Sequence, residues 1–275
     1  MSKGKFDGIL LVTDLDGTLV TKSQVVSQEN IKAIEYFKEN GGTFTIVTGR
    51  VPTALAGIDE VVKPNAPVGC VNGGGIYDCK EKKFLWAQTA PDEILELIGY
   101  IDELMPNVSH QVNTTENIWF TKYNSAMEHL RDVSKAPDLR CHYSEIKEPI
   151  LKILFADKNT DDVLKVAELL SKHPLMSNFE GVSSEPIYYE VLPKGISKAV
   201  VIPKLCEMLG ISIERTIAVG DNNNDVTMLK CAKIGYAVAN ASPLAKEAAD
   251  RITVSNEDSA IAKIVEELDK GIISL

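Results

Sequence analysis

No stretch of this chain approaches the roughly 20 consecutive apolar residues of a membrane-spanning helix, so no such helix is expected. The basic start, Met1 to Lys5, leads into an apolar run of only Ile9 to Val12, much too short for the core of a secretory signal. Cys70, Cys79, Cys141, Cys206 and Cys231 form no C-x-x-C pair, and their odd number argues against a closed disulfide framework. They read as reduced core thiols of a cytoplasmic protein. Positive charge is also short: 29 Lys and Arg stand against 39 Asp and Glu, a net charge of -10 that repels phosphate backbones and anionic lipid heads. Nucleic acid and membrane are therefore excluded as main partners. There is no internal repeat and no G-x-G-x-x-G dinucleotide fingerprint. What remains is an ordinary globular mixture, 44% hydrophobic and 25% charged over 275 residues, enough for about two domains.

Strand and helix alternate at both ends of the chain. Ile9 to Val12, Thr43 to Val47, Val68 to Val71, Thr216 to Val219 and Ile234 to Val238 are short apolar runs, the pattern of strands covered on both faces. Ser27 is placed to cap a helix carrying Ile31, Ile34 and Phe37, with Gly41-Gly42 as its stop. A helix from Ser197 to Leu209 ends at Gly210, and Pro203 inside it predicts a kink. Between these halves the rhythm changes. Phe84 to Ala87 reads as a hairpin strand, a helix follows from Pro91 to Met105 behind Thr89 as cap, and Thr160 caps a helix with Val163, Leu164, Ala167 and Leu170. Ile118 to Thr121, Leu151 to Ala156 and Ile187 to Leu192 read as further strands. The expected architecture is an α/β, Rossmann-like parallel-sheet core from 1–82 and 191–275, interrupted by an α+β unit over 83–190.

Open parallel sheets bind ligands beyond the carboxyl ends of their strands. There the sequence places Asp14 and Asp16, Thr48, Asn72, and Asp221 with Asp225. Two carboxylates 4 Å apart repel by roughly 4 kcal/mol at an effective dielectric of 20, so four at one edge call for a cation. An all-oxygen set suits Mg²⁺, and no Cys or His spacing suits zinc. Each piece alone also has a plain reading. Asp16-Gly17 and Asn72-Gly73-Gly74-Gly75 are turn sequences, Thr48-Gly49 can simply close a strand, and Lys198 is one lysine among many. Gly220-Asp221-Asn222-Asn223-Asn224-Asp225 is a poor helix start unless its side chains cap or bind something.

Taken in order, Asp14-Leu15-Asp16-Gly17-Thr18, Thr48-Gly49-Arg50, Lys198 and Gly220-Asp221-x-x-Asn224-Asp225 resemble the four motifs of the haloacid dehalogenase-like superfamily. Asn72-Gly73-Gly74, the run Pro193 to Lys198 and Asn240-Ala241 resemble its Cof-type phosphatase branch, whose cap is inserted between the second and third motifs. The 150 positions separating Thr48 from Lys198 leave room for that cap. The resemblance implies a Mg²⁺-dependent phosphatase of small phosphorylated metabolites, sugar phosphates or related phosphomonoesters, working through an aspartyl-phosphate.

In that scheme Asp14 is the nucleophile, and Asp16 the acid that protonates the leaving oxygen and then the base for water. Asp14, Asp221 and the backbone carbonyl of Asp16 hold the metal, with Asp225 behind them. Leu15, Thr48, Gly49, Lys198 and Asn224 contact phosphate, with Arg50 and Lys194 as alternative cations nearby. The presence of Asp16 argues against dehalogenation, since a departing halide gives that second carboxylate no work. A sugar phosphomutase and a non-catalytic phosphometabolite sensor are the competing readings. Specificity is expected in the inserted unit, where His110, Asn113, Glu185 and Tyr188 are candidates and equally plausible as structure.

Overall fold

The first apolar run forms β1 (Leu10–Thr13), all four residues buried, as befits a strand covered on both sides. The structure, a computed structural model, describes residues 4–55, 57–134 and 136–275; the basic start up to Lys3 lies outside them. After β1 come α1 (Gln28–Glu39), β2 (Thr43–Ile46), α2 (Ile58–Val62), β3 (Val68–Cys70), β4 (Gly75–Asp78) and β5 (Lys83–Ala87). The middle of the chain contributes α3 (Glu96–Leu104), β6 (Ser109–Thr114), β7 (Ile118–Lys122), α4 (Ser125–Ser134), β8 (Ile150–Ala156), α5 (Thr160–Ser171), β9 (Phe179–Glu185) and β10 (Tyr188–Pro193). The last stretch adds α6 (Val201–Leu209), β11 (Thr216–Gly220), α7 (Val226–Cys231), β12 (Ile234–Ala237), α8 (Pro243–Ala248), β13 (Arg251–Ile252) and α9 (Ala260–Asp269). Among the described residues no helix is long and apolar enough to cross a membrane.

Two compact units result. One takes the described residues up to Gly49, Gly57–Leu85 and Ser197–Leu275; the other takes Trp86–Ile196 and the described residues between Gly49 and Gly57. The later junction falls beyond residue 190 because β10 stays paired with β9 as far as Pro193.

In the first unit the sheet order is β13-β12-β11-β1-β2, with every pair parallel. Register aligns Thr13 with Val219 on one side and Ile46 on the other, so the carboxyl ends of β11, β1 and β2 stand side by side. The third apolar run departs from the expected rhythm: β3 pairs antiparallel with β4 in a separate sheet, β3-β4-β5, and meets the end of β2 only through the bridge Val47↔Gly69. Ser27 caps α1 by accepting from the Asn30 N–H at 3.2 Å, and Ile34 and Phe37 form its buried face. The predicted kink at Pro203 is absent as such. Residues Lys198–Val200 form a 3₁₀ turn and α6 begins at Val201, so proline sits in the first helical turn, where an N–H has no intrahelical partner to lose. The Ala199 carbonyl accepts instead from the Cys231 thiol at 3.7 Å. All five cysteines are free; Cys70 and Cys206 are buried, whereas the other three are only half-buried.

The second unit is an antiparallel sheet, β7-β6-β8-β10-β9. Two expected caps fail here. Pro91 rather than Thr89 precedes the helical turn at Asp92, because the Ala90 N–H is drawn into a bridge to Ile150, and Asn159 rather than Thr160 caps α5 by accepting from Asp161. One side of the sheet, with Val112, Ile153, Phe155 and Val191, packs in a core with Ile98, Ile101, Val163 and Leu170 from α3 and α5. His110 belongs to this unit's interior, 1% exposed, with Nδ1 2.6 Å from Thr121 Oγ1 and Nε2 3.2 Å from Asp102 Oδ1. The Thr121 hydroxyl also donates to the His110 carbonyl at 3.0 Å, closing the residue in on both sides.

Burial lowers the His110 pKa to about 4, against the pull of Asp102. Since the unfolded imidazole titrates near 6.5, the unfolded chain binds the extra proton first, and stability falls as pH drops from about 6.5 towards 4. The loss attached to this group approaches about 3 kcal/mol. Urea unfolding followed by tryptophan fluorescence should therefore show wild type losing more stability between pH 7 and 4.5 than His110→Gln; equal losses would contradict the assignment. Both tryptophans, Trp86 and Trp119, report on this unit.

Candidate active site

Directly beyond the aligned strand ends stand Asp14, Thr48 and Asp221, each carried there by the apolar strand before it. The Asp14 N–H donates to Val219 O at 2.8 Å, extending the β1–β11 pairing one residue past the strand. Lys198, only 2% exposed, donates from Nζ to Asp14 Oδ1 at 2.5 Å and to Asp225 Oδ1 at 2.6 Å. The second oxygen of Asp225 accepts the backbone N–H groups of Asp221 and Asn222, both at 2.9 Å. This closes the turn after β11 as a capping box, which is why the Asn-rich run can open a helix. Thr18 Oγ1 donates to Asp221 Oδ1 at 3.0 Å, tying the loop after β1 to the loop after β11. Gly17 lets these loops meet: its φ is +81°, and a Cβ there would lie 2.5 Å from Asp221 Oδ2.

Ligand oxygens of Asp14, Asp221 and Asp225 lie within 4.8 Å of one another. One lysine cannot neutralise three such groups. Burial, reinforced by Asp225, Asp221 and Asp16 and opposed by Lys198, pushes the Asp14 carboxyl well above the usual carboxylate range. Burial and then Asp225 push Asp221 up to about 6, against the Thr18 hydrogen bond. Burial alone would lower the Lys198 pKa, yet Asp14 and Asp225 hold it above its ordinary value. A divalent cation among these oxygens would relieve the excess negative charge, and the cluster contains no His or Cys, so its donors fit a hard, oxygen-seeking ion.

The remaining expected residues divide by what they can offer. The Leu15 side chain is buried and its carbonyl accepts from the Leu19 and Val20 N–H groups. Asp16 and Gly49 lie in the loops after β1 and β2, and the buried Thr48 marks the end of β2. Asn224 donates from Nδ2 to Asn72 Oδ1 at 3.0 Å. The two alternative cations fall in the other unit: Arg50 donates to Ala54 O at 3.1 Å, and Lys194 to Ser177 O at 2.9 Å. Thr18, Asn72 and Asn240 stand in motifs the sequence offers, and Asn72 was placed at this sheet edge, but none of them carried an assigned role. Asn240, in the loop after β12, donates to Gly17 O at 2.8 Å.

The strand ends of a parallel α/β sheet thus gather carboxylates around one buried lysine, a donor set suited to phosphoryl transfer. The chain belongs to the haloacid dehalogenase-like hydrolases, whose family model matches residues 11–265, and its motifs place it in the Cof-type branch. It is 31% identical over 265 residues to the 5-amino-6-(5-phospho-D-ribitylamino)uracil phosphatase YcsE of Bacillus subtilis, covering 93% of this chain and 94% of that one. The pyridoxal phosphate phosphatase YbhA of Escherichia coli is 25% identical, with 93% and 97% covered. Among solved structures, a haloacid dehalogenase-like hydrolase from Bacteroides thetaiotaomicron superposes with a TM-score of 0.84 at 25% identity, over 94% of this chain and 99% of that one. The protein is thus a phosphoric monoester hydrolase.

Proposed function

We propose that the enzyme is a Mg²⁺-dependent phosphatase of small phosphorylated metabolites, sugar phosphates or related phosphomonoesters, working in the cytoplasm, where five free thiols stay reduced. The observation that carries this reading is the buried Asp14 carboxylate held by Lys198 within a three-carboxylate cluster. Asp14 attacks phosphorus and the ester oxygen leaves with a proton from Asp16; Asp16 then takes a proton from the water that hydrolyses the aspartyl-phosphate. Lys198, the N–H groups of Leu15 and Gly49, the Thr48 hydroxyl and the Asn224 amide surround the phosphoryl oxygens, where positioning and charge stabilisation supply most of the catalysis. Asp14, Asp221 and the Asp16 carbonyl would hold Mg²⁺, with Asp225 orienting from behind; bound there, the ion offsets phosphoryl charge.

Selection of the organic group is assigned to the second unit acting as a cap. Register in its sheet puts Gln111 and Glu190 on either side of Leu154, with Asn113 beside Lys152. Lys152 and Glu190 pair at 2.8 Å, and Gln111 donates to Asn113 Oδ1 at 3.3 Å. Gln111 Oε1 and Asn113 Nδ2 are buried without a hydrogen-bond partner, an expensive state that a hydroxyl- or amide-bearing substrate would relieve. Metal dependence is tested by steady-state hydrolysis of a phosphomonoester panel before and after exhaustive chelation. Turnover should vanish with chelator and return with Mg²⁺, whereas full activity in excess chelator would overturn the reading.

A further inference from the structure

Between β3 and β4 the backbone adopts a conformation that its residues disfavour. Val71 at φ +56° and Asn72 at φ +53° are consecutive left-handed residues, and for a β-branched valine this is a true outlier. Positive φ is ordinary for the asparagine of a tight hairpin turn, but not for the valine before it. Here Asn72 is buried and spent on two distant loops. Its N–H donates to Thr48 O at 3.0 Å. Its Oδ1 accepts from Asn224 Nδ2 at 3.0 Å, across 152 positions of sequence. A Cβ on Gly49 would stand 2.9 Å from that same oxygen, so the Asn72 amide lies against the Gly49 backbone.

We propose that Asn72 is a positioning residue of the phosphoryl-transfer site, a role that rests on the phosphate contacts assigned above to Gly49 and Asn224. The Thr48 carbonyl and the Gly49 N–H belong to one planar trans peptide and point in opposite directions. Anchoring the carbonyl on the Asn72 N–H therefore aims the Gly49 N–H. The bond from Asn224 to Asn72 Oδ1 fixes the rotation of the Asn224 carboxamide and leaves its second N–H for phosphate. The left-handed pair Val71-Asn72 is the conformation that turns one residue towards both loops, and strain of this kind persists where the surroundings enforce it.

The test is a double-mutant cycle of wild type, Asn72→Gly, Asn224→Ala and the double variant. Glycine tolerates the left-handed backbone, so the loop keeps its path while the amide is removed. Inorganic phosphate binding is measured by calorimetry, and kcat/KM with p-nitrophenyl phosphate. Asn72→Gly should weaken both about tenfold, Asn224→Ala at least as much, and the double variant should be no worse than Asn224→Ala within a factor of two, because the two residues act as one unit. Losses that multiply, or an Asn72→Gly enzyme within twofold of wild type, would overturn the inference alone. If Asn224→Ala binds phosphate like wild type, the underlying reading of Asn224 fails and takes the inference with it. Should the glycine variant fail to fold, Asn72→Ala carries the same cycle with the same outcomes.

Discussion

Asp14→Asn is expected to reduce hydrolysis of p-nitrophenyl phosphate in saturating Mg²⁺ at least 10⁴-fold, to the background rate, with the protein still folded. The substitution changes one oxygen into an NH₂ group. It thereby removes both the nucleophilic charge and the carboxylate that Lys198 Nζ meets at 2.5 Å. A loss of 10⁴ corresponds to about 5.5 kcal/mol of transition-state stabilisation, within the range enzymes obtain from a nucleophile and its surroundings. Unfolding is not the expected cause. Burial and three neighbouring carboxylates already push the Asp14 carboxyl well above its usual range, so a neutral amide relieves repulsion while Lys198 keeps its bond to Asp225 at 2.6 Å. Steady-state kinetics beside a thermal melt separates the two causes. A melt like wild type with more than one per cent of wild-type turnover would remove Asp14 from the role of nucleophile.

Asp16→Ala should affect different esters unequally. An alkyl phosphate releases a poor leaving group that needs a proton, whereas p-nitrophenolate departs unaided. The first chemical step should therefore fall by two or more orders of magnitude more for the alkyl ester than for the aryl ester. Mg²⁺ affinity should change little, because Asp14, Asp221 and the backbone carbonyl at position 16 remain. Water attack still lacks its base, so phosphoenzyme should accumulate even with the aryl ester. Rapid-quench measurements on both esters resolve the two steps. Equal first-step losses without accumulation would give Asp16 a structural role only.

The parallel core was legible because its strands are short apolar runs that stop at polar residues, and those stops in β1, β2 and β11 fall side by side in register. Most of the acidic site could be read for the same reason. The sheet of the second unit was less readable. β6, with the sequence Ser-His-Gln-Val-Asn-Thr, lies between β7 and β8 with every residue buried, yet only Val112 is apolar. Apart from Gln111 Oε1 and Asn113 Nδ2, its polar groups are compensated by tertiary partners that no local pattern announces, such as the Ser109 hydroxyl bonded to Ala156 O at 2.7 Å. β9 was missed for a similar reason, its run Phe-Glu-Gly-Val-Ser-Ser-Glu being mostly polar and gaining its place by pairing with β10. At the site, Asn72 looked like a turn residue because its significance lies in a backbone conformation and a contact to Asn224 far along the chain.

The central claim is that phosphate passes through Asp14. Asp16→Ala enzyme mixed briefly with ³²P-labelled p-nitrophenyl phosphate, quenched in acid and digested at low pH, locates the group directly. The label should appear on the peptide containing Asp14, be released by hydroxylamine as an acyl phosphate, and be missing from the Asp14→Asn, Asp16→Ala double variant. Label on another residue, or none on an enzyme that continues to turn over, would contradict the mechanism.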